Sequence, residues 1–298
     1  MNKEYYVCID IGGTAIKYGL ADKFGVFADK NSLPTQAKLY GGQGIVEKVK
    51  MIIRKYIKDN NVVGVGISTA GIIDTKAGVV VYVMPESIPN YSNTPLKAIV
   101  ENEFDIKCTV ENDVNCAGLG ELWLGAGRGK SSLFCITVGT SIGGCVIYDK
   151  KIIHGATSSA GEIAYMQIPG GRMQELVTTT RLIQDVAQAK FLNETDINGE
   201  IIFGWAKQGD IVAQKAIMKL VQHLSDGIVN IVAVFNPEMI ILGGGIMAQK
   251  EYLKQLIDNT LKPKITPSIY DNMQIEFAKL KNDAGMIGAL YNFLSQEK

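Results

Sequence analysis

Two stretches of this chain share one alternation of apolar strands and polar turns. From Ile9 to Lys23 an apolar strand, a Gly/Thr turn and a second apolar strand lead through Asp22-Lys23 to another short strand. The same order returns from Ile136 to Lys150, 127 positions later and without a gap, and ends on Asp149-Lys150. The pattern predicts a duplicated β-meander and, with it, two similar lobes facing one another. Between the copies, Ile45, Val46, Val49, Ile52, Ile53, Tyr56 and Ile57 recur at helical spacing, and Val62 to Ile67 reads as a strand. Beyond the second copy, Leu176 to Phe191 and Ile211 to Phe235 have helical period, the latter ended by Asn236-Pro237. Met239 to Leu242 is a short buried strand running into Gly243-Gly244-Gly245, and a last helix, Ala284 to Leu294, is expected to pack back on the first lobe. Strands alternating with helices place the chain in the α/β class.

Composition narrows the function more than the fold. The 298 residues are 47% hydrophobic and 20% charged, with 30 basic against 30 acidic side chains, enough for about two domains. With no broad basic field, nucleic acid and anionic membranes are poor expected partners, and a small molecule is the better one. Cys8, Cys108, Cys116, Cys135 and Cys145 form no C-x-x-C pair and read as reduced core residues of a cytoplasmic protein. The most apolar stretch, Ile228 to Phe235, is broken by Asn230, so no membrane span is expected. The strand pattern beginning at Tyr5 carries no signal-peptide features, so neither a signal peptide nor an N-terminal DNA-binding module is expected.

Glycine, at 32 residues, gathers at turns: Gly12-Gly13, Gly139, Gly143-Gly144 and Gly243 to Gly245 each follow a predicted strand. Without a Cβ, such turns let backbone N–H groups approach an anion, and several of them predict a polyphosphate held from several sides. Asp10-Ile11-Gly12-Gly13-Thr14 offers a carboxylate for hydrated Mg²⁺ and the amides of Gly12, Gly13 and Thr14 for phosphate oxygens, although a tight hairpin capped by Asp gives the same pattern. In the second copy Thr137 replaces Asp10, so Thr137, Thr140 and Ser141 offer neutral hydroxyls instead. Glu111-Asn112-Asp113-Val114-Asn115 crowds polar side chains ahead of a small-residue helix, Cys116 to Leu122. An Asp there suits proton acceptance from a sugar hydroxyl, while a plain helix N-cap is the competing explanation.

Two other glycine patterns are set aside. Gly125 to Ser131 resembles a P-loop but has three residues between its glycines and precedes a strand, where the motif needs a helix. Gly243 to Ala248 fits a dinucleotide fingerprint but lacks the acidic residue at a strand end about 20 positions on, leaving an adenine nucleotide as the safer expectation. His223 reads as structural, and for His154 ligand contact and loop packing stay equally open.

Taken in order, Asp10 to Thr14, Gly66 to Gly71, Glu111 to Asn115 with Gly120-Glu121, Thr137 to Gly144, Ala160 to Ile163, Leu242 to Ile246 and Ala284 to Ala289 resemble the repressor, open reading frame, kinase (ROK) family of sugar kinases over nearly the whole chain. The resemblance implies an actin-like ATPase (ribonuclease H-like) fold of two lobes around a cleft. Residues 1–117 with 284–298 would form the lobe for sugar and phosphate. Residues 118–283 would form the lobe for nucleotide, further sugar contacts and dimerisation. It implies Asp113 as the general base toward a sugar 6-hydroxyl, with Gly71, Asn112 and Glu162 as sugar contacts. Asp10, Gly12, Gly13, Thr14, Lys17, Thr137, Gly139, Thr140, Ser141 and Gly143 would hold Mg·ATP phosphates, and Gly244 and Gly245 would border the adenosine.

Two departures bear on the substrate. Tyr165 stands where many members carry a histidine after Gly-Glu-x-Gly, and no cysteine-rich loop follows, so the resemblance implies no zinc site; Glu175 still aligns with a later family glutamate and joins Tyr165 as a candidate sugar contact. The expected activity is ATP-dependent phosphorylation of glucose or a β-glucoside such as cellobiose by a cytoplasmic homodimer. N-acetylmannosamine kinase, a sugar sensor with little turnover and a Rossmann-type oxidoreductase are the alternatives.

Overall fold

The structure is a computed structural model that describes residues 3–296. Its first part contains β1 (Tyr5–Ile11), β2 (Ala15–Ala21), β3 (Phe27–Pro34), α1 (Ala37–Ile57), β4 (Val62–Thr69), β5 (Ile72–Asp74), β6 (Val79–Tyr82), α2 (Leu96–Phe104), β7 (Cys108–Asn112) and α3 (Asp113–Leu124). There follow β8 (Leu133–Val138), β9 (Ile142–Tyr148), β10 (Lys151–Ile152), β11 (Gln167–Ile168), β12 (Gly171–Arg172), α4 (Met173–Leu176), α5 (Thr179–Lys190), α6 (Gly199–Lys207) and α7 (Ile211–Phe235). The chain ends through β13 (Met239–Gly243), α8 (Lys250–Leu261), α9 (Pro267–Tyr270), β14 (Gln274–Phe277) and α10 (Ala284–Gln296).

The chain divides into two compact units. Unit 1 runs to Gly129 and adds His154–Ser159 and the chain from Asn282; unit 2 comprises Lys130–Ile153 and Ala160–Lys281. The division falls beyond residue 117 because α3 cannot be cut there. Its small residues pack along α10, and a Cβ on Gly288 would stand 1.7 Å from the Cys116 carbonyl oxygen.

In unit 1 the sheet order is β3-β2-β1-β4-β7, with β1, β2 and β3 antiparallel and β1, β4 and β7 parallel. Strand alternation sends Val7, Ile9 and Ile11 to the face packed with Ile45, Val49, Ile52 and Ile53 of α1. The intervening Tyr6 and Cys8 face Met286, Leu290 and Phe293 of α10. The last helix therefore returns to the first unit, as its position in the pattern predicts. Unit 2 repeats the plan in the order β10-β9-β8-β13-β14, with β13 parallel to both β8 and β14. β9 begins and ends 127 positions after β2, matching the offset of the sequence repeat. All five cysteines are buried.

Two helices differ from expectation. The period from Leu176 to Phe191 is interrupted at Thr178, whose side chain accepts from the Arg181 N–H and caps α5. Helix α7 has 25 residues and is long and apolar enough to cross a membrane by length and composition, which corrects the expectation that no segment is. In this fold Ile217, Leu220, Leu224, Ile228 and Ile231 of α7 are buried in the core of unit 2. Asn230 sits within the helix without breaking it, because its period places it off that buried stripe.

Gly288→Ala is expected to push α10 off α3 and lower unfolding stability by about 1–3 kcal/mol, the usual range for overpacking a tight contact. Urea denaturation followed by circular dichroism measures it; an unchanged midpoint would show that α10 yields without cost.

Candidate active site

In unit 1 the turn between β1 and β2 carries Gly12, Gly13 and Thr14. The Gly12 N–H donates to the Ala15 carbonyl at 3.1 Å, which corrects the expectation that it points at a phosphate. Gly13 and Thr14 are exposed, and a Cβ on Gly13 would meet nothing within 4 Å. Thr35 buttresses the turn from behind: its hydroxyl donates to the Gly12 carbonyl at 2.6 Å and its N–H to the Thr14 carbonyl at 2.9 Å. Asp10, at the end of β1, accepts from the Ser68 hydroxyl at 2.7 Å and lies 3.8 Å from Lys17 Nζ. Burial pushes its pKa up, while Ser68 and Lys17 pull it down.

The polar cluster lies where β7 becomes α3. Asn112 caps the helix: its Oδ1 accepts from the Val114 and Asn115 N–H groups, at 2.9 and 3.1 Å. Its Nδ2 donates to the Gly71 carbonyl and to Asp113 Oδ1, both at 3.0 Å. Both amide hydrogens and both carbonyl lone pairs are thus engaged. Asn112 therefore orients Asp113, and Gly71 meets Asn112 through its carbonyl. Asp113 Oδ1 also accepts from the Val114 N–H at 3.0 Å. The competing readings of this cluster merge, since the cap itself fixes the candidate base.

In unit 2 the corresponding turn holds Gly139, Thr140 and Ser141. Gly139 N–H donates to the Ser141 carbonyl at 2.9 Å, echoing Gly12, and Thr140 is exposed. The Ser141 hydroxyl donates to Gln174 Oε1 at 2.7 Å. Thr137, one residue before the end of β8, pairs with Gly143 of β9 and Gly243 of β13. Gly144 and Gly161 approach so closely that a Cβ on Gly144 would lie 2.5 Å from the Gly161 carbonyl oxygen. Gly161 also has φ +91, where a side chain is strained. This contact anchors the segment that presents Glu162, whose pKa is raised by partial desolvation of its carboxyl. Tyr165 is 62% exposed. Glu175 is committed to Arg172, accepting from Nε at 2.9 Å and from the backbone N–H at 3.1 Å, and this pairing holds its pKa down.

Gly244 and Gly245 follow β13, and Gly245 borders a cavity of about 410 Å³ lined also by Thr179, Asn198, Gly199, Glu200 and Phe203. The Thr179 N–H donates to the Gly139 carbonyl at 2.7 Å, linking the cavity wall to the phosphate-type turn. Sequence reading missed these residues, because they sit at the starts of α5 and α6, outside the glycine turns that follow strands. It also missed Ser68 beside Asp10, although the parallel register of β1 and β4 pairs them. Among the described residues, no group of three or more His, Cys, Asp or Glu could hold a metal ion. The Asp10 carboxylate would suit Mg²⁺ that keeps its waters and takes its remaining ligands from substrate phosphates.

Two sheets of one strand order, each with a glycine turn after its central strand, define an α/β protein of the actin-like ATPase fold. The ROK family pattern matches residues 6–296, so the chain belongs to the ROK family, and its activity is that of a ROK sugar kinase. An uncharacterized protein of Clostridium perfringens is 45% identical over 288 residues, covering 97% of each chain. A β-glucoside kinase of Listeria monocytogenes is 31% identical over 297 residues, again covering 97% of each. A ROK family glucokinase from Streptomyces griseus, solved in complex with glucose and AMPPNP, superposes with a TM-score of 0.83 at 27% identity, covering 99% of this chain and 100% of that one.

His154, left open between ligand and packing in the sequence, lies with Nε2 2.8 Å from Glu111 Oε2, where the ring N–H donates to the carboxylate. The Glu111 hydrogen bond raises its pKa above the ordinary 6.5, against a smaller opposing effect of burial. The pair's contribution to stability is therefore full below about pH 6.5 and fades as pH rises through the raised folded value. The Tm difference between wild type and His154→Gln should be largest near pH 6 and shrink toward about pH 9. A difference that grows with pH in scanning calorimetry would show that His154 is neutral throughout.

Proposed function

We propose that this protein transfers the γ-phosphoryl group of ATP to the 6-hydroxyl of a hexose or β-hexoside, with glucose or a β-glucoside such as cellobiose as acceptor. The carrying observation is Asp113, held at the start of α3 through Oδ1 by Asn112 Nδ2 and the Val114 N–H. In this reading Asp113 takes the proton of the sugar hydroxyl as its oxygen bonds to the γ-phosphorus, and the bond to the bridging oxygen breaks to release ADP. Thr14, Thr137 and Thr140 would receive the phosphates, and the cavity beside Gly245 would take the adenosine. Mg²⁺, held through water by Asp10, would neutralise phosphate charge when bound. The exposed Tyr165 supports a β-glucoside, offering an aromatic face to a second sugar ring or an aglycone. We extend the proposal to a cytoplasmic homodimer, on family membership alone.

Coupled measurement of ADP release over a panel of sugars tests the reaction. Release dependent on glucose or cellobiose is expected; intact sugar binding without release would replace the kinase with a sensor. Comparable kcat/KM for cellobiose and glucose would support the Tyr165 role, and activity confined to free glucose or N-acetylmannosamine would remove it. Asp113→Asn should keep the fold and sugar affinity while lowering kcat by at least ~10²-fold, the low end for a positioned general base. A loss below about tenfold would assign the base elsewhere.

A further inference from the structure

Glu111 stands one residue before the end of β7, and its side chain is only 1% exposed. Oε1 accepts from the Asn112 N–H at 2.8 Å and from Asn115 Nδ2 at 2.9 Å, so it grips both sides of Asp113 along the chain. Oε2 meets His154 Nε2 at 2.8 Å. His154 belongs to a segment, His154–Ser159, that packs in unit 1 while the chain on either side belongs to unit 2.

The surroundings make that partner necessary. In sheet register Glu111 pairs with Ser68, and Ser68 with Asp10, so the two carboxylates share one face across a single strand. Lys17 on β2 stands near Asp10, while α3 brings Asp113 and the buried Cys116 thiol toward the same face. A buried carboxylate keeps its charge and place only when paired and fully hydrogen-bonded. His154 is the partner that touches Glu111, and the contact favours its protonated form.

We propose that His154 is a positioning residue for phosphoryl transfer: by pairing with Glu111 it fixes the first turn of α3 and the direction of the Asp113 carboxylate. The coupling runs from His154 to Glu111, from Glu111 to the Asn112 backbone and Asn115 side chain, and from Asn112 Nδ2 to Asp113 Oδ1. The inference rests on the reading of Asp113 as the base, and its test separates the two.

Steady-state kinetics and amide hydrogen exchange are measured on His154→Ala, His154→Gln and Asp113→Asn. His154→Ala should lower kcat by about tenfold or more with the sugar KM changed less than about threefold, the signature of misdirected chemistry with binding intact. Exchange at the Val114 and Asn115 amides should rise. His154→Gln, which keeps a donor, or added imidazole should restore part of kcat, which a merely structural role would not allow. Unchanged exchange in His154→Ala overturns the positioning role whichever way Asp113→Asn falls. Wild-type kcat in His154→Ala beside a crippled Asp113→Asn overturns it while leaving the base in place. Undiminished turnover in Asp113→Asn overturns the base assignment instead. Should His154→Ala not fold, Glu111→Gln keeps the side chain's shape, removes its charge and carries the same two readouts.

Discussion

The sheet of unit 1 buries a row of polar side chains where apolar ones would be expected, and much of the surrounding structure answers that constraint. Asp10, Ser68 and Glu111 lie side by side on β1, β4 and β7, on the face covered by α3 and α10. Carboxylates placed there must be satisfied or neutralised. Ser68 and Lys17 serve Asp10, while the first turn of α3 and His154 serve Glu111. The same bonds that make burial tolerable therefore hold the turn that carries Asp113. Stability and positioning draw on one network, so a substitution within it perturbs both.

Duplication provides two copies of the scaffold, and divergence at a few positions gives them different chemistry. The antiparallel meander followed by parallel strands is common to both units, and each glycine turn closes through an amide, from Gly12 or from Gly139. At the strand end, however, one copy has Asp10 and the other Thr137. In unit 1 the turn is buttressed by Thr35; in unit 2 it is tied to Gln174 and Thr179. The first copy is thereby suited to charge, and the second to neutral hydrogen bonding beside a cavity.

The repeat, the helical periods, the glycine turns and the Asn112-Asp113 pair were all legible in the amino-acid sequence. Each is a local pattern: period and turn chemistry act within a few residues, and the 127-residue offset preserves strand ends without a gap. The order of motifs was enough to point to the family. What local pattern could not carry was the partner of each polar group. Asn112 reads as a sugar contact in the sequence, and only the fold shows its amide engaged with Gly71, Asp113 and the helix amides as well. Glu175 reads as another, and its pairing with Arg172 is visible only in the fold.

His154 and Glu111 mark the boundary most sharply. They are 43 residues apart, and no periodicity or turn signal links them. Their contact exists because the strand register places Glu111 on the inner face and the chain returns one short segment to unit 1. Burial then makes the pairing obligatory, since an isolated carboxylate in that setting would lose its hydration without compensation. The sequence by itself determined which elements form, which turns are built of glycine and which residue types stand ready for phosphate and hydroxyl chemistry. Tertiary structure alone decided which charges meet, because desolvation and hydrogen-bond geometry depend on neighbours brought together only by folding.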